Sequence, residues 1–154
     1  MRVPHSKALH AGIVSVLAAG PVRAAHAAVP NPCSLLTPAR VSAVIGAPVG
    51  QGSAIGTTGC EWDATPQSGS HAKVTLVLWD AQAFVGMKAP LPRVTKTPAA
   101  GIGEDAVYAT IGSLTTLSVK QGHVAFVIRV YGVAGQDKQM AIEKSLALDV
   151  VKGV

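Results

Sequence analysis

Aromatic residues are scarce in this sequence, which has two Trp, two Tyr and two Phe in 154 residues. The core must therefore be built mainly from Val, Leu, Ile and Ala. Charged residues make up only 14% of the chain, and its Lys and Arg are scattered, so the clustered basic patch of a nucleic-acid-binding protein is missing. No apolar run reaches the roughly 20 residues that a transmembrane helix needs. We expect a single globular domain that binds no nucleic acid.

Residues 1–27 predict a cleaved secretory signal peptide. Arg2 and Lys7 supply its positive start, AGIVSVLAA its apolar centre, and Ala25-His26-Ala27 a small-x-small cleavage pattern before Ala28. The alternative is an uncleaved N-terminal segment. Cleavage would leave about 125 residues, enough to bury a core.

Cleavage of this signal would also change the charge of the protein. The full chain carries a formal charge of +5, but three of its 13 basic residues and none of its eight acids precede residue 28. The mature chain would keep ten basic and eight acidic residues, a net charge of +2.

Cys33 and Cys60 are the only cysteines. Exported proteins with an even number of cysteines often form disulfides. We therefore predict a Cys33–Cys60 bond, and the alternative is two buried thiols. The residues before Cys33 are Val-Pro-Asn-Pro, which do not fit a lipoprotein signal. We therefore expect an exported, periplasmic or extracellular protein without a lipid anchor.

The mature chain begins with a Pro-rich lead-in over residues 28–32, and residues 33–152 predict one α+β domain. Thr37 as N-cap, Pro38 in the first turn and Gly46 as left-handed C-cap predict a first helix. Strands are predicted over 60–64 and 73–79, a short helix over 81–88 and a C-terminal helix over 137–151. The Pro-rich segment 89–103 is predicted to be the least structured part.

Three further strands, over 107–111, 114–120 and 123–131, predict a meander. Two-residue turns at Gly112-Ser113 and Gln121-Gly122 would join them. These turns place Tyr108 opposite Leu117, Leu117 opposite Phe126, and Val119 opposite Val124, with the apolar residues on one face. The complete prediction is an antiparallel sheet of about five strands, packed by an N-terminal and a C-terminal helix.

The motifs CSLLTPARV, GCEW and GIGEDAVY resemble those of a family of uncharacterised exported bacterial proteins, many of them actinobacterial lipoproteins. Nearly all of residues 32–152 take part in the resemblance. It implies an α+β domain with an antiparallel sheet and no established enzymatic activity. The chain departs from the family at Arg40, where the usual Glu would form a capping box with the N-cap residue.

No catalytic or metal-binding constellation is evident in the sequence. The mature chain has two histidines, His71 and His123, both at predicted turns or strand starts, where surface His residues are common. The acidic pairs Glu61/Asp63 and Glu104/Asp105 lack further ligands nearby in sequence. We therefore expect no cofactor, no metal and no enzymatic activity.

Three classes of function stay open: a non-catalytic monomer that binds an envelope protein or a small apolar ligand, a structural envelope factor without a pocket, and an enzyme of unrecognised class. A deep apolar pocket would favour the first class. If the domain binds a partner, we expect contact at Trp79 and at the basic, Pro-rich segment that contains Lys88, Arg93 and Lys96. The alternative for this segment is a solvated linker.

Overall fold

The computed structural model describes residues 29–154, in which one antiparallel sheet carries helices on both faces. The predicted signal peptide, residues 1–27, lies outside the described residues. The strands are β1 Ser53–Ile55, β2 Gly59–Asp63, β3 Lys73–Asp80, β4 Thr95–Pro98, β5 Asp105–Ile111, β6 Leu114–Gln121 and β7 Val124–Tyr131. The helices are α1 Pro32–Leu35, α2 Pro38–Ile45, α3 Ala83–Lys88 and α4 Gln136–Val150.

The strands lie in the order β1-β2-β3-β7-β6-β5-β4, which confirms the predicted α+β class with an antiparallel sheet. The expectation of about five strands is wrong, because the described chain has seven. The two additional strands, β1 and β4, form the sheet edges and are three and four residues long. Both are largely exposed, so they lack the alternation of apolar and polar residues by which strands are recognised. Pro98 in β4 is tolerated because this strand is at an edge.

The predicted meander is formed by β5, β6 and β7. The first hairpin has the predicted register, with Tyr108 opposite Leu117 and Ile111 opposite Leu114 around Gly112-Ser113. The second register is wrong by two residues, because Val119 pairs with Phe126, and Gln121 pairs with Val124.

The correction follows from turn chemistry. The second turn is Gly122-His123 rather than Gln121-Gly122, so glycine is the first turn residue in both hairpins. Gly112 and Gly122 both have φ of +57°, a conformation that glycine adopts without steric cost and that tight hairpins need at the first turn position. A shift of two residues leaves every side chain on its predicted face.

One face of the sheet, the inner face, carries the main core. Trp62, Leu76, Phe126, Ile128 and Leu117 are all fully buried there. Helices α2 and α4 cover them with a shared set of buried apolar side chains, namely Val41, Ile45, Ile142, Leu146, Ala147 and Val150. The predicted stripe Ile142, Leu146 and Val150 is confirmed.

The predicted first helix is α2, which begins and ends as predicted, whereas the short α1, Pro32–Leu35, lies before it and was not predicted. The Thr37 side chain accepts a hydrogen bond from the Arg40 N–H, and Gly46 has a left-handed conformation. The Cys33–Cys60 disulfide joins α1 to β2 with a Cα–Cα distance of 5.1 Å. Arg40 of α2 forms an ion pair with Asp149 of α4 and so connects the two helices that cover the core.

The opposite face, the outer face, is covered mainly by α3 and the segment that follows it. Phe84 of α3 packs on Val107 and Ala125, with Met87 against the same cluster. This small cluster closes one end of the outer face and leaves the neighbouring surface of β5, β6 and β7 open.

Candidate ligand-binding groove

An apolar groove of about 460 Å³ lies on the outer face, between the sheet and the chain that crosses it after α3. We call it the outer groove. Its size is within the range of small-molecule sites. Twelve side chains line it: Met87, Leu91, Val94, Lys96, Ala109, Ile111, Leu114, Thr116, Ser118, Val127, Arg129 and Tyr131.

Small residues form the floor of the outer groove. Ala109 of β5 lies opposite Thr116 of β6, and Ser118 lies opposite Val127 of β7. Because side chains alternate between the two faces of a strand, these short side chains share the outer face. Large residues at the same positions would fill the space, so the groove follows from the sequence of β5 and β6.

The segment that crosses the sheet forms one wall, and we call residues 89–94 the strap. The Val94 N–H donates to the Leu91 carbonyl at 3.2 Å, which closes a turn with Pro92 and Arg93 at its centre. Pro92 fixes the first central φ, while Arg93 has a φ of +62°, so the turn is of type II. Leu91 and Val94, the two ends of this turn, both line the groove.

The strap is anchored at its N-terminal side by α3. Asp80 accepts a hydrogen bond from the Gln82 N–H at 2.8 Å, just before the helix begins. Phe84 is buried against the sheet, and Lys88 forms an ion pair with Asp105. The strap is therefore held to the sheet by packing and by charge.

Large apolar side chains are exposed along the rim of the groove. Leu91 is 54% exposed, Ile111 57% and Leu114 45%. A cluster of exposed apolar side chains around a concave surface is typical of a binding site. Single exposed apolar residues elsewhere, such as Leu148 on α4, need no such explanation.

The polar side chains of the outer groove are positively charged or neutral. Arg129 Nε donates to Thr116 Oγ1 at 2.9 Å, and Arg129 Nη1 donates to the Tyr131 hydroxyl at 3.0 Å. Lys96, opposite Ala109 on β4, donates from Nζ to the Met87 carbonyl. None of the described residues that line the groove is acidic.

The residues that the sequence analysis proposed for binding are not all brought together. Lys96 lines the outer groove, whereas Lys88 is paired with Asp105 outside it. Arg93 is exposed in the strap turn with its side chain outside the lining. Trp79 is 48% exposed and pairs with Ala125, so it lies on the same sheet face beyond the Phe84 cluster. The segment 89–103 combines the strap with strand β4 and so is more structured than predicted.

Sequence reasoning did not identify the outer-groove residues on β5, β6 and β7. Ala109, Thr116 and Arg129 are far apart in sequence and form no motif. The predicted registers would have placed these side chains on the solvent face of the meander. The sequence did not predict that the strap crosses that face.

The two histidines lie at opposite ends of the β3–β7 pair. His71 precedes β3 and His123 belongs to the β6–β7 turn, while Lys73 pairs with Tyr131 and Asp80 with Val124. Both side chains are exposed. His71 borders a second, more polar depression of about 420 Å³, formed with the loop from Asp63 to Ser70.

The predicted acidic pairs are engaged in ion pairs. Lys73 bridges Glu61 and Asp63 at 3.1 and 3.2 Å, and Lys120 pairs with Glu104. The Lys120 ammonium holds the pKa of the Glu104 carboxyl below its usual value, and the Gly122 N–H adds to this effect. Within residues 29–154, no three His, Cys, Asp or Glu side chains are grouped as metal ligands.

A buried polar cluster on the inner face was not predicted. Glu143 and Gln139 of α4 are buried, as is Thr115 of β6, and the Tyr108 hydroxyl donates to the Met140 carbonyl at 3.1 Å. Burial raises the pKa of Glu143 to about 7, although the nearby Thr115 hydroxyl, Val130 N–H and Arg129 charge oppose that rise. Within residues 29–154, neither carboxylate oxygen of Glu143 reaches a hydrogen-bonding partner.

None of the helices within residues 29–154 is long and apolar enough to cross a membrane. Comparison of the chain with protein-family models and with curated proteins found no match.

Proposed function

We propose that this protein is a non-catalytic binding domain that holds a small apolar ligand in the outer groove. The observation that carries the proposal is the groove itself: about 460 Å³ between the strap and the sheet, lined mainly by apolar side chains. Pockets of this size with a few polar groups commonly bind small molecules. The alternative of a structural factor without a pocket does not account for this groove.

The construction of the groove supports binding rather than chance exposure. Its floor belongs to strands whose backbones are held by pairing with both neighbours, and its strap is anchored by Phe84 and by the Lys88–Asp105 ion pair. Sites that are formed before the ligand arrives lose less free energy on ordering during binding.

The proposed location is outside the cytoplasm. The signal-like segment at residues 1–27, the resemblance to exported bacterial proteins and the Cys33–Cys60 disulfide all support export. Intact-mass measurement of secreted or periplasmic protein tests this part. We expect a chain that begins near Ala28 with no diacylglycerol on its cysteines, and a mass that retains residues 1–27 would contradict export by cleavage.

The binding proposal can be tested with N-phenyl-1-naphthylamine, a neutral apolar dye that becomes fluorescent in apolar sites. We expect saturable binding to the parent protein. Ala109→Phe places a ring on the groove floor and should weaken dye binding about tenfold or more. Ala141→Phe is the matched control, because Ala141 is exposed on α4 and lies outside the groove.

The thermal midpoint of each variant is measured first, so that loss of binding can be separated from loss of folding. Binding by Ala141→Phe should equal that of the parent. If the parent binds no dye saturably, or if Ala109→Phe binds it as tightly as the parent, the outer groove is not the site.

A further inference from the structure

Only some of the basic side chains in the described chain are paired with a carboxylate. Five of its basic side chains form ion pairs with carboxylates: Arg40, Lys73, Lys88, Lys120 and Lys152. The other five make no ion pair with any residue of 29–154: Arg93, Lys96, Arg129, Lys138 and Lys144. Two of these, Lys96 and Arg129, line the outer groove. Among the described residues, no carboxylate lies at ion-pair distance from the positive charges of the groove.

Arg129 is held in a defined position although it is exposed. Its Nε and Nη1 donate to Thr116 and Tyr131, and the guanidinium carbon lies 5.9 Å from the centre of the Tyr131 ring. A guanidinium has five N–H donors, so these two bonds leave three for a ligand. Fixed, unpaired donors of this kind favour a planar anion such as a carboxylate, which the guanidinium can bind through two parallel hydrogen bonds.

Tyr131 adds a second polar contact at the same place. Its hydroxyl oxygen accepts the hydrogen bond from Arg129, so its own proton remains available to a ligand oxygen. Lys96 lies across the groove on β4, where its ammonium donates a hydrogen bond to the Met87 carbonyl. The Arg129–Tyr131 pair is thus the better-defined anion site of the two.

The rest of the groove fits an alkyl chain. From Arg129 the surface continues over Ala109 and Thr116 to the strap side chains Leu91 and Val94. If each methylene takes up about 30 Å³, the volume share of one water molecule, the groove holds roughly 15 such groups. That is room for one alkyl chain of ordinary length.

We propose that the ligand of the outer groove is a single-chain carboxylate amphiphile, a free fatty acid, with its carboxylate on Arg129 and Tyr131 and its alkyl chain under the strap. This inference rests on the proposed function. It adds the chemical class of the ligand and its orientation. A phosphate monoester is disfavoured because one guanidinium matches the charge of a monoanion, whereas a dianion would require more positive charge than is fixed at this point.

The test compares four probes with the same twelve-carbon chain: dodecanoate, 1-dodecanol, dodecyl phosphate and dodecylammonium. Isothermal titration calorimetry below the aggregation concentration of each probe gives its affinity for the mature protein. We expect dodecanoate to bind at least tenfold more tightly than 1-dodecanol, since hydrogen bonds to charged groups are stronger than neutral ones. Dodecylammonium should bind most weakly.

Arg129→Gln should reduce dodecanoate affinity about tenfold or more and leave 1-dodecanol affinity nearly unchanged. The control is Lys138→Gln, which removes a cation that is exposed on α4, outside the groove. It should alter neither affinity. A thermal midpoint of Arg129→Gln close to that of the parent shows that the loss concerns the ligand and not the fold.

The outcomes separate the two proposals. Equal binding of dodecanoate and 1-dodecanol, or an unchanged dodecanoate affinity in Arg129→Gln, overturns the carboxylate inference while the groove stands as an apolar site. Tighter binding of dodecyl phosphate than of dodecanoate also overturns it. If none of the four probes binds, both the inference and the proposed function fail.

Discussion

The backbone of Gly132 lies against the carbonyl group of His71, so closely that a β-carbon on Gly132 would be 2.3 Å from the carbonyl oxygen. Gly132 also has a φ of +69°. The contact joins the end of β7 to the loop that leads into β3. A side chain at this position would have to displace backbone, which is more costly than moving a flexible side chain.

We predict that Gly132→Ala lowers the free energy of unfolding by about 3 kcal/mol or more, as left-handed strain and overpacking are added together. Gly46→Ala is the matched control, because Gly46 has a φ of +76° with no atom within 4 Å of its β-carbon position. That variant should lose only about 1–2 kcal/mol. Urea unfolding of both variants measures the difference, and equal losses would show that the His71 contact is unimportant.

Glu143 should make the stability depend on pH. Tyr108 of β5 and Thr115 of β6 face it, and Gln139 lies one turn earlier on its own helix, while the charge of Arg129 acts on it through the sheet from the outer face. Its folded pKa, about 7, lies above the ordinary value of 4.5. The folded state therefore binds more protons between these two values, and stability falls as the pH rises through this window.

The expected loss from pH 4.5 to above pH 7 is on the order of 3 kcal/mol. Glu143→Gln should remove most of this slope, because the amide does not titrate. Glu104→Gln is the control, since Glu104 is exposed and its pKa is lowered by Lys120, so the slope above pH 4.5 should persist. Urea unfolding across the pH range provides the comparison. The same slope in Glu143→Gln and the parent would assign the titration to another group.

Capping signals and side-chain alternation were sufficient to predict the elements that position the core. Local sequence was enough to predict the Thr37 cap, the Gly46 terminus and the apolar stripe of α4. The alternation of apolar and polar residues was enough to predict the strands of the meander. The edge strands β1 and β4 were not predicted, because they are strands through their pairing with β2 and β5 and not through a pattern in their own side chains. The burial of Glu143 was not predicted because it depends on the position of α4 on the sheet.

For the proposed site, the sequence singled out a segment that lines the outer groove, but not the strand residues that form the groove floor. The Pro-rich segment was proposed for binding on its length and charge, and it supplies Leu91 and Val94 of the strap and Lys96 of β4 to the groove lining. The floor comes from β5 and β6, and Arg129 from β7. The strap lies over β5, β6 and β7 because of tertiary packing around Phe84. A local sequence pattern does not predict that packing.

The disulfide should contribute a measurable part of the stability. Cys33 and Cys60 are separated by 27 residues, and closing a loop of this length contributes about 3–4 kcal/mol in the chain-entropy model. We predict that the double variant Cys33→Ser/Cys60→Ser unfolds at correspondingly lower urea concentration. The unreduced parent should show no free thiol towards a thiol reagent. A reactive thiol in that sample would contradict the bond.

The two faces of the sheet predict losses of stability of different size when an aromatic ring is removed. Phe126 is fully buried on the inner face, where it pairs with Leu78 and Val119. Removal of its ring leaves a cavity at the centre of the core, so Phe126→Ala should cost about 3–5 kcal/mol. Trp79→Ala removes a larger ring from the outer face, but that ring is 48% exposed and leaves no closed cavity, so the loss should be about 1 kcal/mol or less.

Urea unfolding of both variants tests this ordering, and the Trp79 variant also tests the role of that ring in binding. A loss below about 1 kcal/mol for Phe126→Ala would mean that the core can close around the missing ring. Because Trp79 does not line the outer groove, dodecanoate affinity should be nearly unchanged in Trp79→Ala. A large loss of affinity there would extend the site from the groove across the Phe84 cluster to β3, as the sequence analysis had proposed.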